Sequence, residues 1–286
     1  MDGKTALAAL LGVSCALNVG CGSRDAGEDQ SGSPATSATA DAPADPAPVA
    51  APETAAVALV EENLAYGEAG NSNLIGFLVM PADMVEPLPG LIVIHGQDGL
   101  DEGTRELTRR LAAERYIALA IDLYGGTAAQ DTRNAATRAG ALVDQPEATL
   151  GNIRQAYDYL TKYAFVPSVA VIGQASGGSW ALRAGIAMPD ELDGIVMYYG
   201  PFIAEAGSLG ELTAPVLGHF AGLDESIPTA DARMFRTRLR EEGKRGEIYI
   251  YSNAKPGFAN TTSAAYDAGI ADEAWQRTVE FLDINL

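Results

Sequence analysis

The 286-residue sequence predicts a doubly wound α/β domain, with a mostly parallel sheet entered through an N-terminal antiparallel hairpin. Two observations carry this. Short continuous runs rich in Val and Ile (GLIVIHG, IALAIDLYG, SVAVIG, GIVMYYG, PVLGHFAG, EIYIY) recur from residue 90 onward, as expected of strands buried on both faces. Amphipathic stretches with apolar residues three and four apart alternate with them, and each is expected to lie between two strands as a covering helix.

In chain order, VALVEENLAY (57–66) and LIGFLVM (74–80) flank the turn-rich GEAGNSN, which predicts the hairpin. The helical candidates are ELTRRLAAERY, ATLGNIRQAYDYLTKYA, SWALRAGIAM, ADARMFRTRLREEG and DEAWQRTVEFLDINL. They span residues 106–116, 148–164, 179–188, 230–243 and 272–286. One domain over residues 57–286 fits the length, because single α/β domains run to about 200–250 residues.

The segments before it are of another kind. Residues 1–21 carry Lys4 and an apolar run too short for a membrane span, which reads as a secretory signal peptide. Val19 and Gly20 before Cys21 resemble a bacterial lipobox, although Asn18 stands where Leu is usual. This pattern makes Cys21 the expected lipidation site, with Cys15 a second candidate; an ordinary signal peptide is the alternative. Residues 22–56 are mostly Ala, Pro, Ser, Thr, Gly and Asp without an aromatic, which cannot offset the entropy of ordering and predicts a flexible linker. Together these segments imply export to a bacterial cell envelope or periplasm, with membrane contact only through an N-terminal lipid.

Charge and cysteine usage exclude several functions. A formal net charge of −19 argues against nucleic-acid binding, which needs clustered Lys and Arg. The only two cysteines, Cys15 and Cys21, lie in the first apolar stretch, so the domain has no disulfide framework and no Cys-based metal site. Neither a metal nor another cofactor is expected.

In an open α/β sheet the site forms at the carboxyl ends of the strands. After SVAVI comes Gly173-Gln174-Ala175-Ser176-Gly177-Gly178, with the glycine spacing of a nucleophile elbow and Ala175 at its centre. This segment, with LIVIHGQDGL, RRLAAERYIALAIDLYGG and PVLGHFAGLDESIP, resembles the dienelactone hydrolase family of the α/β-hydrolase superfamily from about Val57 to the C-terminus. The resemblance implies an α/β-hydrolase fold acting on carboxylic esters or lactones through a Cys (or Ser), His and Asp triad. Carried over by position, Asp224 matches the triad acid. Ala175 occupies the nucleophile position and Pro256, in Asn253-Ala254-Lys255-Pro256-Gly257-Phe258, the histidine position. Gly96 stands where the family has a glutamate that poises the nucleophile. The backbone N–H groups of Gln97 and Ser176 are the implied oxyanion donors.

Alanine has no nucleophile and proline no titratable group, so the expectation is an impaired, ligand- or partner-binding pseudo-hydrolase. Its expected ligand is a small ester, lactone or carboxylate. The alternative is an active ester or lactone hydrolase with relocated groups. Ser176 and Ser179 are the serines to consider and His95 and His219 the only histidines, although both histidines match structural positions in the family. Asp98 and Asp224 could activate water as a carboxylate pair. Gly96, Asp98, Asp122 and Tyr124 are the remaining cleft candidates.

Overall fold

A computed structural model of the chain describes residues 57–125, 132–202 and 208–286. The predicted signal peptide, Cys15, Cys21 and the linker lie outside the described residues.

The hairpin is formed by β1 (Leu59–Ala69) and β2 (Ser72–Pro81), followed by β3 (Gly90–Ile94), β4 (Ile117–Ile121) and β5 (Val169–Gln174). Then come β6 (Gly194–Tyr198), β7 (Val216–Ala221) and β8 (Gly246–Tyr251). They build one sheet in the order β1-β2-β4-β3-β5-β6-β7-β8. β1 pairs with β2 and β2 with β4 antiparallel; every later pair is parallel. Every residue of β3, β4 and β6 is buried, as their unbroken apolar sequences require when helices cover both faces. On the edge strand β8 exposed and buried residues mix instead.

The hairpin turn is tighter than its sequence suggests. GEAGNSN reads as a seven-residue turn, yet Glu68 pairs with Asn73 and Ala69 with Ser72, leaving only Gly70 and Asn71 between the strands. Gly70 takes φ +59°, which a glycine adopts without steric cost.

The helices are α1 (Glu102–Ala113), α2 (Thr132–Asp144), α3 (Pro146–Tyr163), α4 (Ser176–Ala187), α5 (Thr229–Glu241) and α6 (Ala268–Asn285). Two departures from the sequence reading appear. α2 joins α3 between β4 and β5, and α6 closes the fold after β8 instead of lying between two strands. Among the described residues no helix is long and apolar enough to cross a membrane.

α4 meets the sheet through small residues at several points. A Cβ on Gly185 would stand 2.0 Å from Ile195 Cδ1, and one on Gly177 2.3 Å from the Ile94 carbonyl oxygen. With Ala181 and Ala184 fully buried between them, these glycines let the helix axis settle on β5 and β6, which fixes the turn that leads into it.

Candidate functional site

The chain runs from β3 outward to β4, then returns past β3 to β5. Neighbouring strands β3 and β5 therefore send their following loops in opposite directions, and the crevice at their carboxyl ends is the expected binding site of such a sheet. Ile94 pairs with Gly173 there, so the residues that follow this pair, His95 to Asp98 and Gln174 to Ser176, emerge side by side.

The β5–α4 turn is strained. Ala175 has φ +49° and ψ −122°, a conformation that side chains disfavour. Its amide donates to the Tyr198 carbonyl at 2.9 Å, and its own carbonyl accepts from Gly178 at 3.0 Å. Glycines make room for the turn: a Cβ on Gly173 would lie 2.2 Å from the Gly177 carbonyl oxygen, and one on Gly200 2.7 Å from that of Ala175. This is the geometry of a nucleophile elbow, presenting a methyl group.

A cavity of about 300 Å³ opens above the turn, and Ala175, Pro256, Gly96, Gln97 and Asp98 all line it. A side chain at position 96 would begin 3.6 Å from the Ala175 methyl, so Gly96 is placed where a glutamate could reach the elbow residue. Ser176 is the first residue of α4, and its N–H has no acceptor within the helix. Its side chain does not cap the helix. Ser179 lies in the second turn, buried, and donates to the Pro201 carbonyl at 2.5 Å.

Asp224 lies outside this wall, in the loop after β7. Its Oδ1 accepts the N–H of Ser226 at 2.8 Å and of Ile227 at 3.0 Å, so the carboxylate holds its own turn. The loop is tied to the segment carrying Pro256 by the Leu223 amide, which donates to the Ala254 carbonyl at 2.9 Å. The structure thus brings Asp98, and not Asp224, to the cavity, and the two do not pair across it.

Both histidines are buried with both ring nitrogens engaged. His95 Nε2 accepts the Leu123 N–H at 3.0 Å, which puts the proton on Nδ1, 2.6 Å from the Gly96 carbonyl oxygen. Burial lowers its pKa. His219 sits between the Tyr251 hydroxyl at 2.9 Å and Thr278 Oγ1 at 3.1 Å. Burial and the nearby Arg277 guanidinium lower its pKa to about 3. None of these ring partners is a serine.

Asp122 and Tyr124 do not line the elbow cavity. They border a separate space of about 740 Å³, walled by residues such as Leu74, Arg138, Gln145 and Gln155. The Asp122 carboxylate accepts the Tyr124 N–H at 2.7 Å and so caps the end of β4. Tyr124 packs its ring 4.6 Å from that of His95. The elbow cavity contains residues that motif reading passed over: Asp101, Tyr199, Asn260, Thr262 and Ser263. Two left a signal. Asp101 precedes α1 as its N-cap, accepting from the Thr104 N–H at 2.9 Å, and Tyr199 directly follows β6. Among the described residues no group of three or more His, Cys, Asp or Glu side chains could hold a metal ion.

Burial raises the pKa of Asp98, with Asp101 reinforcing the shift. A carboxylate on the cavity wall can hydrogen-bond a polar ligand. The Ala175 methyl at the elbow cannot itself form an acyl intermediate.

Known proteins share this architecture. A candidate carboxymethylenebutenolidase from Escherichia coli O157:H7 is 28% identical over 227 residues, covering 73% of this chain and 82% of its own. One from Saccharolobus solfataricus is 25% identical over 260 residues, covering 78% and 98%. The crystal structure of a candidate dienelactone hydrolase from Klebsiella pneumoniae superposes with a TM-score of 0.72 at 24% identity, over 79% of this chain and 99% of that one. That likeness speaks for the fold alone. The sequence model of the dienelactone hydrolase family matches residues 74–285, which run from β2 to the end of α6 and include the elbow and both loops beside it. On that match the chain belongs to the dienelactone hydrolase family and has the scaffold of an ester and lactone hydrolase.

Proposed function

We propose that this chain is an exported, lipid-anchored pseudo-hydrolase of the cell envelope, whose elbow cavity binds a small ligand or partner group without turning it over. The observation that carries the reading is the pairing of Ala175 and Pro256 on one cavity wall. The two positions that should supply nucleophile and base are filled by side chains that can do neither. Export and anchoring rest on residues 1–21, with Cys21 as the lipidated residue, and residues 22–56 serve as the tether.

Magnitudes favour binding over turnover. In a serine protease, losing one core triad member costs about 10⁶-fold in rate, roughly 8 kcal/mol of transition-state stabilisation, and further losses add little. The remaining oxyanion donors and cleft still supply roughly 10³-fold over water. A relocated site has little support, since Ser179 donates to a backbone carbonyl and both histidines are held by other partners.

The test is hydrolysis of short nitrophenyl esters and a dienelactone by the full chain, beside Ala175→Cys and the double variant Ala175→Cys with Pro256→His. The expected result is trace activity in the parent and a gain of at least about 10²-fold in the double variant. A fast parent would overturn the reading, and single substitution of Ser176, Ser179, His95 and His219 would then locate the unrecognised groups.

A further inference from the structure

The end of the domain opposite the elbow carries the most exposed apolar side chains. Among the large hydrophobic residues described, Val85, Ile284 and Phe165 stand out, at 87%, 78% and 66% exposed. They are distant in sequence, yet all three lie at the amino ends of the parallel strands. Val85 is in the loop from β2 to β3, whose Asp83 pairs with Arg115 just before β4. Phe165 precedes Val166, whose side chain would stand 2.9 Å from a Cβ on Gly90, the first residue of β3. Ile284 is in the last turn of α6, and the main-chain oxygen of Leu286 beyond it accepts from Ser168 Oγ, just before β5, at 3.1 Å.

Phe165 points to a use for this end. It follows Ala164, the C-cap of α3, with φ +55°, which a glycine adopts without cost and a phenylalanine does not. Its ring, largely in solvent, gives the fold little packing in return for that strain.

The path of the chain names the partner. The Ala82 amide donates to the Ala58 carbonyl at 2.8 Å and Leu59 pairs with Pro81, so the domain begins at this same end. Residues 22–56 join it to Cys21. A flexible tether of that length spans about 30–35 Å, enough for any face to reach the lipid, so exposed apolar residues and not the tether decide which face stays there.

We propose that the end carrying Val85, Phe165 and Ile284 rests on the membrane, its three side chains entering the headgroup region of a zwitterionic bilayer, with the elbow cavity opening away from the lipid. This rests on the reading of the chain as lipid-anchored and adds the orientation of the domain. Charge selects the zwitterionic surface: anionic lipid repels a chain of net charge −19, and the cations near the apolar residues, Arg115 and Lys162, already pair with Asp83 and Asp158. A five-residue strand separates the two ends by about 15 Å, beyond the roughly 5–10 Å reached by interfacial insertion.

The test reads depth by the quenching of tryptophan emission in vesicles of brominated phosphatidylcholine. The mass of the full chain, made in a bacterial host that processes lipoproteins, first reports whether Cys21 carries lipid. If it does not, the anchoring reading fails, and the full chain with Cys15→Ser is fastened through Cys21 to a maleimide lipid so that the face is judged by itself. The native Trp180 and Trp275 are buried and form the background. Phe165→Trp should lose about half of its added emission, and Glu225→Trp, in the exposed loop after β7, should lose almost none. Adding Val85→Ser and Ile284→Ser should cut the quenching at 165 by about half, and phosphatidylglycerol in place of part of the neutral lipid should also reduce it. Equal quenching at 165 and 225, none at either, no response to the two serines, or stronger quenching on anionic vesicles would overturn the proposal. So would a dimer in sedimentation whose formation abolishes the quenching, since the apolar end would then be an interface between copies of this chain.

Discussion

The β5–α4 turn and the loop after β7 are held in opposite ways. At the turn a strained backbone carries no polar side chain at its tip: Ala175 holds φ +49° to present a methyl group. In the β7 loop it is a side chain that holds the backbone, the Asp224 carboxylate accepting two N–H groups of its own turn. The contrast shows that the shape of a turn can be held without help from the side chain at its tip. The elbow is held by what lies beneath it, namely the pairing of β3 with β5 and glycines that admit close backbone contacts, and none of these depends on the residue at the tip.

Breaking the elbow from below should have the largest effect. In Gly177→Ala the new methyl would lie 2.3 Å from the Ile94 carbonyl oxygen and 2.5 Å from that of His95. Both are backbone atoms of a central strand or its first loop residue and cannot swing aside. A loss of about 3 kcal/mol or more is expected in urea unfolding. A cost below about 1 kcal/mol would mean that α4 can lift off the sheet and that the elbow is not rigidly supported.

A smaller effect of opposite sign is expected at the tip. Ala175→Gly keeps the turn and removes the Cβ that makes its dihedral angles costly, a relief of about 1–3 kcal/mol. The added freedom of glycine in the unfolded chain takes back about 0.5–1 kcal/mol. The variant should therefore be more stable than the parent by about 1 kcal/mol, read as a higher urea midpoint at unchanged slope. A loss of stability would show that the strain is absent or that the methyl is needed for packing.

How much of this was legible in sequence follows the same division. β3 to β7 could be read directly, because strands buried on both faces must be apolar throughout. The turn of the hairpin was read too wide, since Glu68 and Asn73 pair through their backbones while their side chains face solvent and carry no apolar signal. α2 escaped notice because TRNAATRAGALVD offers mostly small and polar residues and no sustained apolar stripe. At the site, motif spacing located Ala175, Gly96 and Pro256, whose neighbours in sequence announce them. It could not find Asn260, Thr262 and Ser263, which reach the cavity only through the path of the loop between β8 and α6. Asp122 and Tyr124 were drawn into the same cleft because they end a neighbouring strand, but β4 lies on the far side of β3 from the elbow and opens onto different space.

The smallest change in stability should come at Asp224, and there it separates the two halves of the comparison. Asn keeps the side-chain oxygen that accepts from Ser226 and Ile227, so Asp224→Asn should lie within about 0.5 kcal/mol of the parent, whereas Asp224→Ala should lose about 1 kcal/mol with the turn's hydrogen bonds. If the carboxylate serves only its turn, the Asn variant should be equally silent when Ala175→Cys and Pro256→His are also present. If instead the restored imidazole engages Asp224, replacing the carboxylate should lower the recovered ester hydrolysis by at least about 10²-fold while the unfolding midpoint stays put. We expect the second outcome, because the loop carrying Asp224 is tied to the segment carrying Pro256 by the hydrogen bond from Leu223 to Ala254. Loss of activity without loss of stability would mark Asp224 as a catalytic acid left idle by the absence of its base.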